Sequence, residues 1–166
     1  HYPSDDELNM RINYLSNVIF EPINSHSKIA KLGIESKEWM LFTYAFSTYA
    51  FTNIAIHDTQ YKKSVIPIIK EAITKSQHNF IRKEYKENTG YKLDSFKTNS
   101  VLYLGHLNLM MGCFRLLSND SSFNKLNDSL SFWLFEKYNN SKFLTLESYP
   151  SNCWIPDNTV ALASLK

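Results

Sequence analysis

The 166 residues carry 43% hydrophobic and 14% aromatic side chains, enough for one packed domain and too many for a disordered chain. A net charge of +2, with no long basic run, leaves no electrostatic footprint for nucleic acid. Glycines and prolines are few, which favours long regular elements over a many-stranded β fold. No stretch stays apolar for the roughly 18 residues of a membrane span. The longest candidate, 39–56, is interrupted by Thr43, Ser47, Thr48, Thr52 and Asn53.

The first predicted helix begins at Ser4-Asp5-Asp6-Glu7, a capping box with acids suited to the helix dipole. Leu8, Ile12, Leu15 and Ile19 form its apolar face, and Pro22 ends it. Residues 21–34 read as a polar connection with a short turn, broken by Gly33. Ser36-Lys37-Glu38 opens a second helix reaching about His57. Trp39, Met40, Leu41, Phe42, Tyr44, Phe46, Tyr49, Phe51 and Ile54 nearly surround it, the pattern of a helix buried on most sides.

Asp58 or Thr59 caps a third helix to about Glu87. Val65, Ile66, Ile69, Ala72 and Ile73 give it one apolar stripe, and Pro67 marks a kink or the true start. Asn88-Thr89-Gly90 stops it, and 91–99 is a loop. A fourth helix over 100–118 is again apolar all round. Gly105 and Gly112, seven apart, predict close approach on one face. A fifth helix over 122–139 carries Phe123, Leu126, Leu130, Trp133 and Leu134 on one stripe. Phe143 to Leu146 reads as a short extended segment.

The stretch from Tyr149 to Leu165 gathers Pro150, Cys153, Trp154, Pro156, Asp157 and Asn158 before a sixth helix. Asp157 or Asn158 is its expected N-cap. A carboxylate, an amide, a thiol and an indole then stand at the positive end of a helix, which favours polar ligands. The opening His1-Tyr2-Pro3 lacks an initiator Met, and Leu165-Lys166 falls inside a helical pattern without a stop. Both fit one all-α domain, 1–166, that forms part of a longer protein. Removal of an upstream segment would be compatible with a periplasmic or membrane-associated location.

Helices that are apolar all round alternate with amphipathic ones. That is the pattern of a two-layer helical toroid, and equally of an irregular bundle with central helices. Tyr103-Leu104-Gly105-His106-Leu107-Asn108-Leu109-Met110-Met111-Gly112, then Phe114-Arg115-Leu116-Leu117, then Tyr149-Pro150, Trp154-Ile155-Pro156-Asp157-Asn158 and Ala161-Leu162-Ala163 resemble a segment of the (α/α)6-toroid proteins. Within them the similarity is nearest to the linalool dehydratase/isomerase-like group. It covers about residues 100–166 and, more loosely, the preceding hairpin. The resemblance implies an enzyme, a glycosidase-like hydrolase or a lyase/isomerase, acting on a carbohydrate or a small unsaturated alcohol. A closed toroid needs about twice the helices present here, so a C-terminal part or another chain would supply the others.

Asp157 is the first candidate acid, because Trp154, Ile155 and Pro156 would desolvate it and raise its pKa, while the helix terminus opposes the rise. His106, with Tyr103 three residues before it and Asn108 beside it, is a candidate acid/base or a satisfied core histidine. Tyr149 is a further catalytic candidate. Cys153 lies before a helix start, where a thiolate is stabilised, and the resembled group uses cysteines in catalysis. Cys113, on an apolar helix, reads as core. Trp154, Asn158, Tyr103, Asn108 and Tyr44 are the candidate substrate-binding residues, and Trp39 and Tyr49 would extend an aromatic wall. Trp154 is expected to point inward and Asp157 to lie near His106. A hydrolase needs a second carboxylate about 5 to 10 Å from the first, and Glu147 is the nearby one. The histidines are scattered and no phosphate or dinucleotide loop occurs, so no metal and no cofactor is expected. The alternative is a non-catalytic helical binding or scaffold domain.

Overall fold

Helix-start residues and apolar periodicity place most of the elements correctly. A computed structural model describes residues 4–81 and 100–166, and they form an all-α fold. The helices are α1 (Asp5–Phe20), α2 (Lys28–Glu35), α3 (Glu38–His57), α4 (Lys62–Ser76), α5 (Val101–Leu117), α6 (Asn124–Asn139) and α7 (Ile155–Ala163). A 3-10 turn, Thr59–Tyr61, precedes α4. Among the described residues there is no strand, only an isolated bridge between Tyr149 and Asn152, and no helix is long and apolar enough to cross a membrane.

Ser4 caps α1 as its sequence implies, accepting from the Glu7 backbone N–H at 3.3 Å. The connection expected to be polar over 21–34 instead contains α2. Ser27 caps it by accepting from the Ala30 N–H. Ile29 and Gly33, four apart, are its buried face, and Gly33 sits against the Met40 side chain of α3. The segment is amphipathic, but its eight residues and the internal Gly33 make it read as a broken connection rather than a helix. Asp58 accepts from the Gln60 N–H at 3.0 Å, and α4 runs through Pro67 to Ser76. The predicted continuation to Glu87 is interrupted at Gln77 and His78; residues 79–81 are helical again. The stop at Asn88-Thr89-Gly90 and the loop over 91–99 lie outside the described residues. The expected extended segment at Phe143 to Leu146 is irregular, with Leu144 at φ 53°.

Contacts between helices fix their directions. His106 of α5 meets Phe42, Phe46 and Tyr49 of α3, and Cys113 farther along meets Thr52. Gly105 lies against Ala161 of α7, and Asn108 bonds Ser164. Numbers rise together in both pairs, so α3, α5 and α7 run parallel. In α6 they run the other way: Asn108 reaches Ser131, whereas Phe114 stacks edge-on against Phe123. Tyr61 bonds Asp5 while Lys75 caps the Ile19 and Glu21 carbonyls, which makes α1 and α4 parallel to each other. Tyr103, in the first turn of α5, donates to the Ser76 carbonyl at the end of α4, so α4 opposes α5. The chain thus forms two sets, α3–α5–α7 and α1–α4–α6, with opposite directions.

Helix α5 is the hub, packed on α3, α4, α6 and α7. Its close approach to α7 depends on Gly105, where an added Cβ would come within 2.7 Å of the Ala161 Cβ and 2.9 Å of its Cα. Gly112 does not share this role, because nothing lies within 4 Å of its added Cβ. Asn108 is fully buried and joins three helices. Its amide donates to Ser131 Oγ at 3.0 Å and Ser164 Oγ at 2.9 Å, and its carbonyl accepts from Asn127 at 2.7 Å.

Candidate functional site

Because α3, α5 and α7 are parallel, their N-terminal ends meet at one end of the domain. The segment leading into α7 crosses all three. Its Glu147 carbonyl accepts from Val101 N–H at 2.9 Å, and its Ser148 carbonyl accepts from Ser100 Oγ at 3.0 Å. Tyr149 Oη donates to Glu38 Oε1 at 2.6 Å. A tight turn closed by Tyr149 and Asn152, with Ser151 at φ 62°, then delivers the chain to α7.

The start of α7 differs from its expected form. Trp154 is the N-cap residue and makes no side-chain cap bond, while Pro156 occupies the first turn. Proline is tolerated there because first-turn N–H groups have no helical partner. Asp157 and Asn158 are therefore inside the helix and cap nothing. Asn158 instead clips the preceding segment: its amide donates to the Leu146 and Trp154 carbonyls, and its Oδ1 accepts from Leu146 N–H and Tyr138 Oη.

Asp157 turns inward and is only 8% exposed. Burial pushes its carboxyl above the ordinary range; a hydrogen bond from Ser148 opposes this, and the charge of Glu38 adds to it. Burial also pushes Glu38 up, but hydrogen bonds from Ser36 and Tyr149 outweigh it and leave Glu38 below its ordinary value. Burial, then the bond to Glu38, then the charges of Glu38 and Asp157 push the Tyr149 phenol far up, so it stays protonated. Asp157 feels the charge of Glu38, and the two carboxyl groups are shifted in opposite directions, a combination that favours a protonated acid in one and an anion in the other.

Trp154 is not inward. It is 56% exposed, edge-on to Tyr149 with ring centroids 6.2 Å apart. Its indole lies outside because Ser148 and Asn158 pin its backbone from within. Trp39, the neighbour of Glu38, is 51% exposed.

His106 is placed elsewhere. It is 3% exposed, with its ring among Phe42, Phe46 and Tyr49 and its Nδ1 2.9 Å from Tyr49 Oη. Burial pushes its pKa down to about 4, so the imidazole is neutral; its Nδ1 shares a hydrogen bond with the phenol whose direction follows the tautomer. The expected pairing with Asp157 is absent: among the described residues no hydrogen bond joins the two, and His106 is bonded to Tyr49 instead.

Tyr103, Asn108 and Tyr44 lie in the packing between helices. Tyr103 Oη donates to the Ser76 carbonyl at 3.2 Å, Asn108 forms the network above, and Tyr44 is fully buried. Cys153 is an exposed free thiol, and Cys113 is a half-buried one that burial pushes up. Glu147 lines a separate groove with Trp133 and Lys137. Glu38 is the residue that sequence reasoning missed. Its place at a helix start was legible, but nothing in the spacing signals a partner 111 residues away. Among the described residues no group of three or more His, Cys, Asp or Glu could hold a metal ion. The chain matches no protein-family model.

Proposed function

We propose that the chain carries an acid/base site in which Asp157 is the proton donor, Glu38 the charged partner and Tyr149 the hydroxyl that orients Glu38. The observation that carries this is the convergence of the two carboxyl groups through Tyr149, with Asp157 buried and raised and Glu38 hydrogen-bonded and lowered. Exposed Trp39 and Trp154 offer flat apolar surfaces beside them. A carbohydrate or a small unsaturated alcohol suits these groups, since each presents a hydroxyl or ether oxygen to protonate and an apolar face to stack. The parallel α3, α5 and α7, opposed by α1, α4 and α6, support an arc of an (α/α)6 toroid, with this site at the shared end of the parallel helices. Turnover of a panel of glycosides and allylic alcohols is the test: Asp157→Asn and Glu38→Gln each abolish it while the helical spectrum is kept. Wild-type turnover that survives both substitutions would overturn the assignment.

A second reading, a binding or scaffold domain, is favoured by the open apolar groove between α1 and α3, lined by Leu15, Trp39, Phe42, Phe46 and Ala50. It predicts that aromatic substitutions there, and not changes at Asp157, remove the molecule's activity in binding assays.

A further inference from the structure

Helix α5 packs on both α3 and α7, so the parallel row α3–α5–α7 ends in two edges. At the first edge α3 and α1 leave an open apolar groove, where Trp39, Phe46 and Tyr14 are each half or more exposed. At the second edge Ala161 is spent on α5 and Asn158 on Tyr138 of α6. Ile155 and Leu162 turn past both contacts and are exposed, as is Phe135 on α6. The edges match in spacing. Trp39 and Phe46, like Ile155 and Leu162, are seven residues apart, about two helical turns. Each pair begins at the first or second residue of its helix. The bond of 2.6 Å between Glu38 at the start of α3 and Tyr149 just before α7 holds those starts at one level.

We propose that the two edges are one interaction surface for a second copy of this chain. A two-fold axis parallel to the helices sets α3 of each copy beside α7 of the other. The result is a closed ring, with two copies of α3–α5–α7 inside and two of α1–α4–α6 outside. Such a rotation keeps every helix at its height and direction, so Trp39 and Phe46 meet Ile155 and Leu162 without a shift. The six exposed side chains offer roughly 100 Å² each, about half of what a large side chain carries. Interfaces are about 60% apolar, so both edges together bury about 1,000 Å² per copy, enough for a stable dimer at about 800 Å² per partner. One edge alone supplies about half of that, which favours closure over an open chain. The proposal rests on the arc reading above and not on the acid/base assignment.

Sedimentation equilibrium of this chain is the test. A species of twice 19.4 kDa is expected. Tyr14→Glu and Leu162→Glu, one on each edge, each return it to the monomer with the helical spectrum kept. A wild type that stays monomeric through the micromolar range overturns the ring, and so does an open series of larger species. Should that monomer take up a hydrophobic dye that Phe46→Glu no longer binds, the occupant of the groove is a small apolar molecule instead. Cross-linking checks the pairing, with Cys113→Ser and Cys153→Ser as the background. Chains carrying Phe46→Cys and chains carrying Leu162→Cys are joined by a short bismaleimide when mixed, and neither is joined when alone. Links between two Phe46→Cys chains overturn the ring and the arc alike, whereas a monomer overturns the ring only.

Discussion

Tyr149 and Glu38 are 111 residues apart in the chain, and their side chains meet at 2.6 Å. The phenol donates and the carboxylate accepts, so the loop before α7 is tied to the first turn of α3 by a charge-assisted bond. Tyr149→Phe removes it, at a cost of about 1.5–3 kcal/mol in urea unfolding at pH 7. Because Glu38 is held below its ordinary value, its contribution is present above the unfolded carboxyl range and is lost as pH falls through the folded pKa. The gap between wild type and Tyr149→Phe therefore narrows in acid. An equal gap at pH 7 and pH 3 would contradict this.

His106 adds a second loss of stability on the acid side. Its folded pKa of about 4 against 6.5 means that the unfolded chain takes up a proton first. Stability is complete above about pH 6.5 and declines as pH drops towards 4, by about 3 kcal/mol from this residue. In His106→Gln that portion of the decline disappears. Denaturant midpoints measured between pH 7 and pH 4 check it; parallel curves for the two proteins would exclude it.

The two glycines of α5 predict effects of opposite sign. Gly105→Ala places a methyl 2.7 Å from the Ala161 Cβ, forces α5 and α7 apart and destabilises by about 1–3 kcal/mol. Gly112→Ala meets nothing within 4 Å and gains helix propensity, about 0.5–1 kcal/mol. Thermal melts of both variants distinguish the two sites directly.

Tyr44 Oη and Thr48 Oγ1 on α3 are buried and have no hydrogen-bond partner among the described residues. An unmet buried hydroxyl carries its desolvation cost without return. Tyr44→Phe and Thr48→Val keep the shape and remove the hydroxyl, and each is expected to raise stability by about 1 kcal/mol. A loss in either variant would show that the hydroxyl is bonded in solution.

The sequence alone determined that the domain is all-α and where most helices start, because capping and apolar periodicity are local signals. Ser4 before Glu7 and the all-round apolar faces of α3 and α5 needed no partner to be recognised. It also singled out Asp157 and Tyr149, through the crowding of proline, tryptophan and carboxylate before α7. Only the tertiary structure decided which residues join them. The parallel course of α3, α5 and α7 brings Glu38 to Tyr149, while it buries His106 against Tyr49 at a different level of the α3–α5 seam. Trp154 lies outside and Asp157 inside because the helix begins at Ile155, with Pro156 in its first turn, about one turn earlier than a cap at Asp157 allows. Such pairings depend on helix direction and register between distant segments, and residue spacing along one chain carries neither.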